Sequence, residues 1–122
     1  MTASIDGAAT ALGIEVDEVG PGRARARMRV TAEMANLHGI AHGGYVFLLA
    51  DTAFAYAANA GRVALAQAAH ITFLRPVPIG ASLTAVAVER AGGLFDVTVS
   101  AAEGAVVAEF RGQCAVLPRG VS

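Results

Sequence analysis

The 122-residue sequence has no lysine, no tryptophan and one cysteine, and only 16% of its residues are charged. Each shortage excludes something. Cys114 alone makes no intrachain disulfide and has no Cys-x-x-Cys or metal-ligand partner thiol. Nine arginines against ten acidic residues give a net charge of −1, so no general basic field is available to hold nucleic acid. No segment is apolar enough to span a membrane. The best run, Gly44 to Ala60, has 17 residues where about 20 are needed, and it carries Asp51 near its middle. Met1 to Asp6 show no basic stretch leading into an apolar one, so no secretory signal is read and a cytoplasmic location is expected. Repeats, low-complexity tracts and linkers are also missing. At roughly 150 residues per domain, the length leaves room for one domain over 1–122.

Apolar residues, in contrast, are in excess: 55% of the chain, 28 of them alanine. Globular chains average about 45–50% apolar and about 25% charged. A small domain has much surface for its volume. So small and charge-poor a chain is expected to bury part of its surface against copies of itself. The all-arginine cation set and the many alanines read as coding bias, not as a functional signal.

Short-range patterns outline an α+β domain. Ser4 to Leu12 reads as a short helix ended by Gly13. Ile14 to Val19 and Arg23 to Val30 read as strands around a three-residue loop, Gly20-Pro21-Gly22. Arg23, Arg25, Arg27 and Arg29 alternate with apolar residues, giving one wet strand face. That loop sets Asp17 opposite Arg25 and Glu15 opposite Arg27, so the stripe reads as a partly paired, solvated face and not as a nucleic-acid site. A helix is expected from Gly43 to Asn59, and an apolar helix is a buried one. Further strands follow at Ala64 to Leu74, Ser82 to Arg90, Phe95 to Ala101 and Ala105 to Leu117.

Turn positions then set registers. A two-residue Gly92-Gly93 loop pairs Val88 with Val97 and Val86 with Val99. A Glu103-Gly104 loop pairs Val97 with Phe110, Val99 with Ala108 and Asp96 with Arg111. One apolar face is thereby expected across three strands. Leu83, Ala85 and Ala87 fall on the other face and suggest a second contact surface. The whole is an antiparallel sheet of five or six strands around one long helix.

The stretch with chemistry in it is Asn36-Leu37-His38-Gly39-Ile40-Ala41-His42-Gly43-Gly44, followed by Asp51. Glycine allows close approach to the backbone. The first amides of a helix have no intrahelical acceptor and lie at the positive end of its dipole, so they suit an anion or a polarised carbonyl oxygen. Asp51 is the one charge in the helix. It is either a general base or nucleophile, or a carboxylate satisfied locally by Thr52 or a backbone amide. Gly43 and Asp51 are eight residues apart, about 12 Å along a helix. They cannot both reach one atom, which needs groups about 3 Å away. Two antiparallel helices about a two-fold axis would bring Gly43 of one chain to Asp51 of the other, twice per dimer.

The pattern Asn36-x-x-Gly39-x-x-His42-Gly43-Gly44-x6-Asp51, with Phe73-Leu74-Arg75-Pro76 at a later strand end, resembles the hotdog-fold acyl-CoA thioesterases of the PaaI (phenylacetic acid degradation) type. The resemblance runs from about Gly13 to Leu117. It implies a sheet wrapped round a central helix, in homodimers often paired into homotetramers. It implies hydrolysis of medium-chain or aromatic acyl-CoA, such as phenylacetyl-CoA, without metal or cofactor. Carried over by position, the Gly43 amide polarises the carbonyl and Asp51 attacks it or activates water. Asn36 and His42 orient carbonyl, water or loop. Gly39, Gly44, Tyr45, Phe73 and Arg75 are the candidate substrate contacts, with Phe47 and Phe54 as further pocket candidates.

One departure favours an alternative. Relatives place a Ser or Thr in the strand after the helix, but Ala66 to His70 has no hydroxyl until Thr72. Either Gln67 or His70 substitutes or the role is absent, and the gap also motivates the alternative of a non-catalytic acyl-CoA-binding or regulatory module. Arg75 is equally a phosphate contact or a solvated strand end. His38 and His42 sit in a glycine-interrupted loop, so their spacing of four does not make a metal pair. Cys114 alternates with Phe110 and Val116, which places it in the core.

Overall fold

The computed structural model describes residues 6–118. The short first helix, α1 (Gly7–Leu12), is capped at its start by Asp6, whose carboxylate accepts from the Ala9 amide at 3.0 Å, and at its end by Gly13 in the left-handed region at φ 70. The part of the expected helix before Asp6 lies outside the described residues. Then come β1 (Glu15–Gly20), β2 (Arg23–Arg29), a 3-10 turn (Ala32–Met34), α2 (Gly43–Ala58), β3 (Ala64–Phe73), β4 (Ser82–Ala91), β5 (Leu94–Ala101) and β6 (Val106–Val116). The six strands form one antiparallel sheet in the order β1-β2-β4-β5-β6-β3. Helix α2 contacts all six strands, as expected of a sheet wrapped round a helix. Among the described residues no helix is long and apolar enough to cross a membrane.

The many alanines have a structural use. Ala50, Ala53, Ala57 and Ala58 of α2 and Ala24, Ala26, Ala85 and Ala87 of β2 and β4 are all buried. Small side chains on both layers let helix and sheet approach closely. Larger groups fill the β5–β6 side. Phe54 packs edge-on against Phe95 at 5.3 Å and tilts against Phe110 at 5.8 Å. Gly112 makes room for it, since a Cβ there would meet the Phe54 ring at 2.7 Å. Phe54, a pocket candidate on sequence, is therefore a core residue.

Two β-bulges correct the expected registers. Between β1 and β2 the turn is the two residues Pro21 and Gly22, and Gly20 pairs with Arg23. A bulge between Val16 and Glu18 then sets Glu18, not Asp17, opposite Arg25, while Glu15 still faces Arg27. The displaced Asp17 gains by it, because its carboxylate reaches Arg25 and Arg27, each at 2.9 Å.

Between β4 and β5 the Gly92-Gly93 turn is as expected, but a bulge between Glu89 and Ala91 slips the pairing by one. Ala87 faces Val97 and Ala85 faces Val99, while Val88 and Val86 face Asp96 and Thr98. A one-residue slip turns every side chain to the opposite face. Leu83, Ala85 and Ala87, expected on a second contact surface, are thus the core, and Val86 and Val88 look outward. The bulge frees Glu89 to accept from the Gly93 amide at 3.0 Å and to pair with Arg62 at 2.8 Å. Between β5 and β6 Val97 faces Phe110, Val99 faces Ala108 and Asp96 faces Arg111 as expected, but a bulge between Val99 and Ser100 and the Ala101 amide on the Ala105 carbonyl make the turn Ala102-Glu103-Gly104, not the expected two residues.

Candidate active site

The loop before α2 is built by Asn36. Its Oδ1 accepts from the amides of His38 at 2.8 Å and Ile40 at 3.4 Å, a side chain standing in for a turn acceptor. Backbone bonds from Asn36 to Ile40 and from Gly39 to Asn36 close the loop, and Gly39 takes φ 74, which a side chain would disfavour. His38 and Leu37 point to solvent at the tip. The loop is pinned to the molecule by the His42 amide on the Met34 carbonyl and the Ala41 amide on the Val77 carbonyl, both 2.8 Å.

Helix α2 therefore starts at a fixed place. His42 precedes its first residue in an extended conformation, and its exposed imidazole does not cap the helix. The Tyr45 amide bonds back to the His42 carbonyl, but those of Gly43 and Gly44 have no acceptor among the described residues. These are two free donors at the positive end of a 16-residue helix. Gly44 is open, with nothing near the position of a Cβ. Gly43 is covered: a Cβ there would lie 2.8 Å from Cζ of Phe73, so the Phe73 ring rests where a side chain would be. Tyr45 and Phe47 are half-buried beside this end, and Phe47 packs edge-on against Phe110 at 5.3 Å.

Asp51 lies two turns further on. It is half-buried, and it has no hydrogen-bond or ion-pair partner among the described residues. The local satisfaction weighed on sequence is not used, because the Thr52 hydroxyl donates instead to the Leu48 carbonyl at 2.7 Å. Loss of hydration pushes the Asp51 carboxyl above its ordinary value, and no neighbouring charge offsets this. Asp51 shares an outward stripe of α2 with Gly44, Leu48 and Ala55. In one chain the Gly43 donor and the Asp51 acceptor stay about two turns, or ~12 Å, apart.

The β3 side chains divide between two faces. Ala69 and Ile71 pair with Gly112 and Phe110 on the helix side. His70 and Thr72 line a depression of about 490 Å³ on the other face, with Asp96 and Arg111. The first hydroxyl after the helix and His70 are thus turned away from α2, and Gln67 sits at a bulge between Ala66 and Ala68. Burial raises the Cys114 thiol, in keeping with a core residue. Arg75 is exposed just past the Phe73 ring. Sequence reasoning missed two features, the seat of Phe73 on Gly43 and the lack of an ion-pair partner for Arg29 among the described residues. Both depend on tertiary register and have no local signal.

The Thioesterase superfamily model matches residues 38–108. Over 113 residues the chain is 46% identical to acyl-coenzyme A thioesterase PaaI of Escherichia coli K12, covering 88% of this chain and 81% of that protein. The solved structure of the E. coli PaaI protein from the phenylacetic acid degradation operon superposes with a TM-score of 0.89 and 42% identity, over 93% of this chain and 86% of that one. A mutant of the phenylacetic acid degradation protein PaaI from Thermus thermophilus matches with a TM-score of 0.84 and 37% identity, over 89% and 97%.

Proposed function

This chain belongs to the thioesterase superfamily, and from that premise we propose that it hydrolyses acyl-CoA thioesters to free acid and CoA at two sites shared across a homodimer. One observation carries the reading. Half-buried, unpartnered Asp51 lies on the same helix as the free amides of Gly43 and Gly44, about 12 Å from them. A second, antiparallel copy of α2 closes that gap.

The β3 edge supports such a dimer. This ten-residue strand has no charged residue, pairs on one side only, and exposes Leu65 and Phe73. A long apolar edge left bare is an aggregation hazard that proteins cover. Antiparallel pairing of two β3 edges covers it and lays the outward stripes of the two α2 helices across each other. The apolar excess in the composition then has a place to go. The expected pairing of dimers into a homotetramer would use a further surface, and the outer sheet face is the one this arrangement leaves open.

In this arrangement the thioester carbonyl oxygen accepts from the Gly43 amide, whose helix dipole stabilises the oxyanion as it forms. The partner's Asp51 either attacks the carbonyl carbon or takes a proton from the attacking water. With water as nucleophile, its oxygen bonds to the carbonyl carbon and the carbon–sulfur bond breaks. CoA leaves as thiolate and takes up the proton that Asp51 received. With direct attack, the acyl group first passes to Asp51 as an anhydride while CoA leaves. Water then cleaves the anhydride to the free acid and restores the carboxylate. Desolvation makes Asp51 a stronger base than a solvated aspartate. Asn36 holds the loop that presents the amide, and His42 lies at its rim. Tyr45, Phe47 and Phe73 surround the acyl end, which suits a medium-chain or aromatic acyl group such as phenylacetyl.

Release of free CoA from a panel of acyl-CoAs, with the wild type and Asp51→Asn, tests the reading. Turnover on medium or aromatic substrates that falls at least 100-fold in the variant is expected. Equal turnover in both proteins would remove Asp51 from the mechanism. Tight binding of every acyl-CoA with no turnover would favour the non-catalytic module, which the inward-facing, hydroxyl-free side of β3 supports.

A further inference from the structure

Strand β3 has an uncovered inner face. Ala66 and Ala69 pair with Cys114 and Gly112 of β6, which are both buried. Residues directly opposite in a sheet share a face, so the two alanines point to the helix side as their partners do. Yet both alanines are exposed. Core packing stops one strand short of them. The Phe54 ring lies on Gly112, where a Cβ would meet its Cε2 at 2.7 Å, and Ala69 is on the next strand, about 4.8 Å further on. Elsewhere on this face Ile71 is half-buried beside Phe110, and the Phe73 ring rests on Gly43. The stretch without a bulky side chain is Ala66 and Ala69.

This stretch is level with Asp51. Helix α2 and strand β3 run antiparallel and are fastened to each other at both ends. Gly43 lies under the Phe73 ring, and Oδ1 of Asn59 accepts from the Ala64 amide at 2.8 Å. Asp51 is midway between Gly43 and Asn59, so it stands opposite the middle of the strand, at Ala68 and Ala69. Helix rise gives the same place. The ~12 Å from Gly43 to Asp51 equals nearly four strand residues of about 3.3 Å each, counted back from Phe73. Level with the unpartnered carboxylate, then, is a surface of two methyl groups.

We infer that Ala66 and Ala69 form the floor of the acyl pocket, and that Ala69 is the specificity-determining residue, favouring an acyl group with a flat aryl ring over a straight chain. The inference rests on the thioesterase reading of the adjoining site. A thioester carbon within reach of Asp51 must carry its acyl group over one or both of these methyls. Two short, unbranched side chains leave a low, flat surface. A ring lies on such a surface with its whole face, whereas an alkyl chain covers only a strip of it. A larger residue at Ala69 would stand where the ring lies. Its bulk has no way into the core, because the neighbouring space over Gly112 is filled by the fully buried Phe54. One methylene more or less in an apolar pocket changes discrimination by roughly 10–200-fold.

The test compares kcat/KM for phenylacetyl-CoA, acetyl-CoA and the bulkier naphthylacetyl-CoA in the wild type, Ala69→Leu, Ala69→Gly and an outer-face control, Ala68→Leu. Sedimentation follows the assembly of each. Ala69→Leu is expected to lower the phenylacetyl to acetyl ratio by about tenfold or more. Ala69→Gly, which deepens the floor by a methyl, is expected to raise the naphthylacetyl to phenylacetyl ratio about fivefold. Ala68→Leu should leave both ratios as in the wild type. Equal fractional losses on phenylacetyl-CoA and acetyl-CoA in Ala69→Leu, an unmoved naphthylacetyl ratio in Ala69→Gly, or the same shifts in Ala68→Leu overturn the floor. So does an Ala69→Leu protein of half the wild-type mass, since a partner chain and not the substrate would then cover the alanine. If the wild type hydrolyses none of the three, the thioesterase reading fails by itself. Calorimetric titration with phenylacetyl-CoA and acetyl-CoA then decides the floor, which stands if Ala69→Leu weakens the first about tenfold more than the second and falls if it does not.

Discussion

The Phe73 ring sits on the bare Cα of Gly43, so closely that a Cβ there would fall 2.8 Å from the ring's Cζ. The last inward residue of β3 thus touches the first residue of α2, and the glycine is required by a neighbouring aromatic as well as by any ligand. Gly43→Ala should push the half-exposed ring outward without unfolding the protein. The expected stability loss is under about 1 kcal/mol, while activity falls at least tenfold as the ring enters the substrate's space. Pairing it with Phe73→Ala should recover much of the lost activity, a coupling that a double-mutant cycle measures directly. Simple additivity of the two losses would mean that the contact does not matter.

Asp51 carries its raised carboxyl pKa because burial removes water and no cation compensates. The sign for stability follows. With a folded-state pKa above the unfolded one, the protonated form favours folding; that contribution is full below the ordinary value of 3.8 and is lost as pH rises through the folded pKa. Asp51→Asn should therefore be no less stable than the wild type at neutral pH, with its advantage shrinking in acid. Thermal melts from pH 4 to 8 check this. The kcat/KM profile should show an acid limb above the usual aspartate range.

Asn36 separates a loop-building role from direct contact with substrate. Its Oδ1 serves the amides of His38 and Ile40. Asn36→Ala should cost about 1–2 kcal/mol for the two lost bonds and lower activity through loop disorder. Asn36→Asp keeps the acceptor and should restore stability. If activity stays low in Asn36→Asp while stability is normal, the amide nitrogen has a role beyond the loop.

Much of this architecture is legible in the chain. The six strands and α2 fall within one or two residues of where alternation, turn glycines and the apolar run place them, because those signals are local. The Asn36 to Asp51 spacing also indicates the site, since helix rise alone separates Gly43 from Asp51. What is not legible depends on bulges. Asp17 and Arg90 each add a residue to a strand without any change of composition, and each slips a register. The slip at Arg90 exchanges Val86 and Val88 for Ala85 and Ala87 in the core. Whether an arginine of the β2 stripe is paired follows from the same geometry. Arg25 and Arg27 share the bulged Asp17, and Arg29 makes no ion pair with a β1 acid among the described residues.

The Glu89 brace that the second bulge creates has its own pH dependence. The Arg62 guanidinium and the Gly93 amide hold the Glu89 carboxyl below its ordinary value. A depressed pKa contributes stability above the unfolded value of 4.5, and that contribution is lost as pH falls through the folded pKa. Glu89→Gln should destabilise by about 1–2 kcal/mol at pH 7, by releasing Arg62 from the end of α2 and loosening the β4–β5 turn. The difference from the wild type should narrow in acid, as denaturant melts at pH 7 and below pH 4 can show.

Shared sites make a prediction that no single-chain site can match. Suppose that Gly43 of one protomer works with Asp51 of the other, and that Asp51→Asn and Gly43→Ala homodimers are each nearly inactive. A heterodimer of the two variants then contains one site with both defects and one with neither. Unfolding and refolding an equal mixture makes half the dimers mixed, each with one of its two sites intact, so about a quarter of wild-type activity should return. If donor and base acted within one chain, every site in every dimer would carry a defect and nothing would return. A β3-edge charge such as Ala68→Glu, placed to repel its counterpart across the two-fold axis, should yield monomers by sedimentation and abolish the recovery as well. Recovery in the mixture together with loss in the edge variant ties activity to the β3-paired dimer. Full activity in a monomeric Ala68→Glu protein would place both groups within reach of one substrate in one chain, against the ~12 Å that the helix puts between them.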